Sequence, residues 1–178
     1  MMAKPRIATV WLDGCSGCHM SLLDIDERLL EIAGKIELVS SPLVDAKEFP
    51  DNVDLTLVEG AIASKEDVET IRRIRCKTRL LVALGDCAVT GGVPAMRNNF
   101  VLEDVLRRGY TENATANQGA PDHEVPELEP KVIPLHESVT VDVFVPGCPP
   151  PADLIDFVLS EVLAGRVPDL ATRGRFGN

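Results

Sequence analysis

Five short apolar runs rich in β-branched residues punctuate the chain: RIATVWL (6–12), IELVS (36–40), VDLTLV (53–58), RLLVAL (79–84) and VDVFVP (141–146). Several are nearly continuous rather than alternating, the pattern of strands covered on both faces. Helix-period segments separate them. Apolar Met20, Leu23, Ile25, Leu29, Leu30 and Ile32 make one broad stripe, which predicts a helix over 17–33. SKEDVETIRRIRCK (64–77) sets Ser64 before an acidic first turn and carries basic residues late, as a capped helix does. NFVLEDVLRRG (99–109) ends on a glycine able to close a helix, and PADLIDFVLSEVLAG (151–165) starts on proline and ends on Gly165. Alternation of this kind dictates a parallel sheet with helices on both faces.

The fold expected is therefore α/β, a flavodoxin-like doubly wound parallel sheet of about five strands in the order 2-1-3-4-5. One domain spans 1–165, and residues 166–178 form a tail that either docks or frays. With 178 residues, 45% of them hydrophobic, such a domain buries roughly two-thirds of its unfolded surface. A net charge of −10 argues against nucleic acid, which calls for a basic face. No apolar run reaches the length of a membrane span. The start MMAKPRIATV leads straight into a strand without the pattern of a secretory signal, so a cytoplasmic location is expected. Residues 111–131 break the alternation, with a proline or glycine at 119, 121, 126 and 130 and few apolar residues. A loop this long contacts a partner or moves freely.

Five cysteines in a cytoplasmic chain point to metal or redox chemistry rather than to disulfides. Cys15 and Cys18, in WLDGCSGCHM, follow the first strand; Cys87 follows the fourth; Cys148, in VPGCPPP, follows the fifth. All four fall at carboxyl ends of parallel strands, the edge where open α/β sheets place ligands. Four converging thiolates bind either a zinc ion or an iron–sulfur cluster. Zinc sites usually pair two C-x-x-C knuckles, whereas here one pair and two single cysteines come from three strand ends. That favours a [4Fe–4S] cluster, with zinc and a redox dithiol as the alternatives. Glycines at 14, 17, 85 and 147 suit backbone close to a bulky cluster, and Pro149, Pro150 and Pro151 stiffen the last turn.

Other polar residues near that edge have plain and functional readings. Glu59, in LVEGAI, ends the third strand and either relays protons or orients a partner, or is a solvated loop glutamate capping a turn. A carboxylate at a partly desolvated interface has its charged form disfavoured, which would suit a relay. His19 reads as a supporting donor or a packed side chain rather than a ligand, since four thiolates already complete a cluster. Asp86 reads as a turn cap, and Cys76 as an inert thiol, buried or half-buried. Asp24, Asp26 and Glu27 read as the solvated face of the first helix.

GCSGCHMSLLDIDE, VEGAI, ALGDCAVTGG and PGCPPP, in that order, resemble the small subunit of [NiFe] hydrogenases over roughly residues 5–160. They resemble more distantly the cluster-bearing subunit of respiratory complex I, which has adjacent cysteines in place of C-x-x-C. CHMSLLDIDE and the chain length look most like the short small subunits of cytoplasmic NAD-reducing hydrogenases. The resemblance implies one proximal [4Fe–4S] cluster on Cys15, Cys18, Cys87 and Cys148. It also implies a separate large subunit holding the Ni–Fe site, and diaphorase subunits with iron–sulfur clusters and FMN. FMN is not expected in this chain, because the cysteines occupy the turn after the first strand where a phosphate loop would lie. The VEG carboxylate, Glu59, is implied to lie near the subunit interface. Many exported relatives carry a glutamate immediately before the first cysteine; Gly14 stands there in this chain. The rival readings are the small subunit of an F420- or heterodisulfide-linked hydrogenase and a zinc-stabilised interaction domain.

Overall fold

The structure, a computed structural model, describes residues 4–46 and 48–176. Residues 1–3 of the expected domain and 177–178 of the expected tail lie outside the described residues. Along the chain run β1 (Arg6–Trp11), α1 (Gly17–Leu23), α2 (Arg28–Lys35), β2 (Glu37–Ser40), β3 (Val53–Glu59) and β4 (Ile62–Ser64). Then come α3 (Lys65–Lys77), β5 (Thr78–Leu84), α4 (Asp86–Thr90), a 3-10 turn (Pro94–Asn99) and α5 (Leu102–Arg107). A π-helical turn (Arg108–Glu112), β6 (Leu128–Ile133), a second 3-10 turn (Leu135–Glu137), β7 (Val143–Val145) and α6 (Ala152–Leu163) complete it.

The main sheet has five parallel strands in the order β2-β1-β3-β5-β7, the arrangement expected from the sequence. Its two faces bury separate clusters. Ile7, Leu55, Leu57, Val82 and Leu84 meet Leu22, Ile25 and Ile32 from the first helical region and Leu154, Ile155, Val158 and Leu159 of α6. On the other face Val10, Val58, Leu81 and Ala83 meet Ile71 and Ile74 of α3 and Ala88 and Val89 of α4. Burial on both sides explains why the strands read as continuous apolar runs. Helix α3 carries the expected cap: the Ser64 hydroxyl accepts from the Asp67 N–H at 3.1 Å, and the Asp67 carboxylate accepts from the Ser64 N–H at 2.9 Å.

Three local expectations need correction. The helix expected over 17–33 is two helices, separated by a turn in which Asp26 takes a left-handed φ of 62°. The bend lets Leu22, Ile25 and Ile32 all reach the sheet. Asp24, Asp26 and Glu27 are exposed as expected, but in that turn and at the mouth of α2 rather than on a helix face. The helix expected over 99–109 covers only Leu102–Arg107; Asn99 closes the preceding 3-10 turn, and Gly109 continues into the π-helical turn instead of ending a helix. The irregular stretch expected over 111–131 ends earlier, because Leu128–Ile133 forms β6 and pairs antiparallel with β4. The Arg97 guanidinium donates to the Ala63 and Glu129 carbonyls, and the Asn98 amide exchanges two hydrogen bonds with the Val132 backbone. Pro130 inside β6 hides the strand from a periodicity argument.

After α6 the chain folds back on the domain. Leu170 packs against the larger core cluster, and the Arg173 guanidinium stacks 4.1 Å above the Phe157 ring.

Candidate metal centre

Parallel register brings the strand ends into one row. Trp11 lies opposite Glu59, Glu59 opposite Leu84, and Leu84 opposite Val145. The chain leaves this row through turns that carry the cysteines. Cys15 and Cys18 enter α1 after β1, Cys87 stands in the first turn of α4 after β5, and Cys148 follows β7. Cys18 and Cys87 are half-buried; Cys15 and Cys148 are exposed. The four cysteines thus divide into two partly shielded by the fold and two open to solvent.

Two glycines make room for sulfur. Gly85 has φ +85°, and a Cβ built on it would lie 2.2 Å from the Cys18 Sγ. The Cys18 sulfur therefore sits against bare backbone. Gly92, at φ +48°, curls the chain round Cys87, where a Cβ would come within 2.9 Å of its Sγ. A backbone clasp joins two of the cysteine turns. The Asp86 N–H donates to the Gly147 carbonyl at 2.9 Å, and the Gly147 N–H donates to the Asp86 carboxylate at 2.7 Å. Asp86 thus links the Cys87 and Cys148 turns, a larger role than the cap expected of it. The Ser21 hydroxyl donates to the Pro150 carbonyl at 2.5 Å and ties α1 to the same turn.

The sulfurs lie within one another's field. Burial pushes the Cys18 thiol far up, and the charges of Glu59, Cys87, Cys15 and Cys148 push it further. Burial also raises Cys87, against a hydrogen bond from the Val93 backbone; Cys148, Cys15 and Glu59 add to the rise. These charges are all negative, and a bound metal centre is the kind of cation that deprotonates such thiols outright. The donor set and the glycine cradle fit an iron–sulfur group on Cys15, Cys18, Cys87 and Cys148. Among the described residues no three His, Cys, Asp or Glu side chains close round a single metal ion.

Glu59 is not a solvated turn residue. It is 3% exposed; its Oε2 accepts from the His19 backbone N–H at 2.7 Å and is hydrogen-bonded to the His19 ring Nδ1, also at 2.7 Å. His19 is wholly buried and meets Trp11 edge to face, ring centroids 5.2 Å apart. The expectation of a supporting donor describes it well, but its acceptor lies 40 positions away and has no sequence signal. Cys76 is exposed, not buried, because Ile71 and Ile74 carry the inward face of α3 and position 76 falls off it.

The geometry agrees with what the chain resembles. The family model described as NADH ubiquinone oxidoreductase, 20 Kd subunit, matches residues 15–162. The chain belongs to that family, in the branch formed by the small subunits of [NiFe] hydrogenases. It is 45% identical to the NAD-reducing hydrogenase HoxS subunit delta of Cupriavidus necator, over 94% of this chain and 82% of that one. It is 39% identical to a subunit of the F420-non-reducing hydrogenase of Methanocaldococcus jannaschii, over 94% of this chain but only 59% of that longer one. A chain in the crystal structure of an NAD+-reducing [NiFe]-hydrogenase in the H2-reduced state superposes with a TM-score of 0.93 at 42% identity, covering 98% of this chain and 99% of that one. Among the described residues no helix is long and apolar enough to cross a membrane.

Proposed function

We propose that this chain is the electron-transfer small subunit of an NAD-reducing [NiFe] hydrogenase, with one [4Fe–4S] cluster on Cys15, Cys18, Cys87 and Cys148. The gathering of those four cysteines from three strand ends at one sheet edge carries the reading. A cluster bound there supplies a one-electron carrier whose potential follows from its ligands, hydrogen bonds and exposure. The chain's own part is to hold four thiolates in a fixed cradle. Gly85 and Gly92 leave room for the sulfurs, and the Asp86–Gly147 clasp keeps two ligand turns together. The exposed rim of Cys15 and Cys148 is the side that a large subunit with a Ni–Fe site would cover. On this reading electrons pass on to diaphorase subunits that carry iron–sulfur clusters and FMN and reduce NAD, in the cytoplasm. Glu59, at the same edge, is the residue of this chain proposed to relay protons.

The reading is tested on the anaerobically purified complex by iron, acid-labile sulfide and nickel content together with its EPR spectrum. Expressed alone, the chain is expected to bind iron without nickel and to take up no hydrogen. Robust uptake by the isolated chain, or zinc in place of iron, refutes the assignment. A second reading draws on the 39% identity to the F420-non-reducing relative: a hydrogenase of the F420- or heterodisulfide-linked type. The subunits that co-purify decide between the two.

The relay has its own measurement. Glu59→Gln keeps the side-chain shape but carries no proton. The expected outcome is slower H2/D+ exchange per assembled complex, with the cluster signal intact. Unchanged exchange ends the relay assignment.

A further inference from the structure

Helix α1 begins without a cap of its own. Ser16, at its N-cap, stands at φ 65° and makes no side-chain bond to the first amides. The missing acceptor comes from the sheet: Oε2 of Glu59 takes the His19 backbone N–H. The same oxygen takes Nδ1 of the His19 ring. With Nε2 unpartnered, Nδ1 is the ring nitrogen placed to donate to the carboxylate oxygen, and that tautomer is assigned from this geometry. Both side chains are out of solvent, His19 completely. The other ring nitrogen, Nε2, is buried with no partner among the described residues. A leucine would fill much of this space without leaving a nitrogen unsatisfied. What the imidazole adds is the Nδ1 donor, aimed at a carboxylate whose field reaches both half-buried sulfurs.

We propose that His19 and Glu59 act as one positioning unit, in which His19 holds the Glu59 carboxylate in place beside Cys18 and Cys87, so that its negative charge, carried between proton transfers, sets the reduction potential of the cluster. This rests on the cluster reading given above. A negative charge near an electron carrier disfavours the added electron and lowers the potential, more strongly where water is excluded. The Nδ1–H bond spreads part of that charge onto the imidazole. Removing the charge and removing its donor therefore move the potential in opposite directions. A residue needed only for folding would move neither.

The test is an EPR-monitored redox titration of the whole complex, with iron content measured in parallel. Glu59→Gln is expected to shift the oxidised-to-reduced ratio at a fixed potential about tenfold toward the reduced form, a rise of about 59 mV for a one-electron couple. His19→Leu, which deletes the donor, is expected to lower the potential. His19→Asn places an amide N–H near the position of Nδ1 and is expected to return it toward wild type. A wild-type potential in iron-replete Glu59→Gln overturns the proposal, whether or not His19→Leu retains iron. A shift of the same sign in Glu59→Gln and His19→Leu also overturns it. A wild-type complex with no cluster signal overturns the cluster reading instead, so the two failures are told apart.

Discussion

Cys148→Ala is expected to abolish iron loading and hydrogen-driven NAD reduction while the chain stays folded. Cys148 is exposed and has no place in either buried cluster, so truncating it removes no core contact. Its turn is held independently, by the bonds between Gly147 and Asp86 and by the Ser21 hydroxyl on the Pro150 carbonyl. Loss of iron in this variant therefore reports ligation and not unfolding. Iron per chain is expected to fall from about four atoms to background, with an unchanged far-UV circular dichroism spectrum. Cys15→Ala, Cys18→Ala and Cys87→Ala are expected to lose the cluster likewise. Cys76→Ala, on the solvent face of α3, is expected to keep iron and activity. Full iron content in Cys148→Ala would falsify the ligand assignment.

Gly85→Ala is the second large effect, and it replaces none of the proposed ligands. The residue sits at φ +85° and ψ 162°, a region almost confined to glycine that costs an L-amino acid about 1–3 kcal/mol. The added methyl would also lie 2.2 Å from the Cys18 sulfur. Overpacking of that kind costs about 1–3 kcal/mol. Together they amount to about 2–6 kcal/mol, a fall in Tm of about 4–24 °C for a domain of this size. The displaced sulfur is also expected to reduce iron loading. Gly34→Ala is the control: nothing lies within 4 Å of its Cβ position, and it is expected to be neutral or slightly stabilising. Unchanged Tm and iron content in Gly85→Ala would show that the cradle gives way easily.

The sheet order and the edge that carries the cysteines were legible in the sequence because each depends on short-range pattern plus one topological rule. Continuous apolar runs mark strands buried on both faces, and parallel order then sends every strand's carboxyl end to the same side. The partnerships at that edge were not legible. Glu59 meets His19 across 40 positions and Asp86 meets Gly147 across 61, and a polar residue's partner leaves no periodic trace. The break at Asp26 was hidden for a different reason. A stripe of apolar residues fits one helix or two bent helices equally well, and packing on the sheet decides between them. The pairing of β6 with β4 was obscured by Pro130, and the exposure of Cys76 depends on the pitch of α3 against its inward isoleucines.

Cys15 and Cys148 are open to water, whereas Cys18 and Cys87 are half-buried in this chain. If the proposed cluster binds there, part of the dielectric around it would be supplied by whatever subunit closes over Cys15 and Cys148. A carrier's energy level depends on that surrounding medium. On the proposed function, the driving force for electron flow would be jointly owned. This chain would contribute the ligands and the Glu59 charge and its neighbour the insulation, so docking would retune the carrier and couple assembly of the complex to its electrical function.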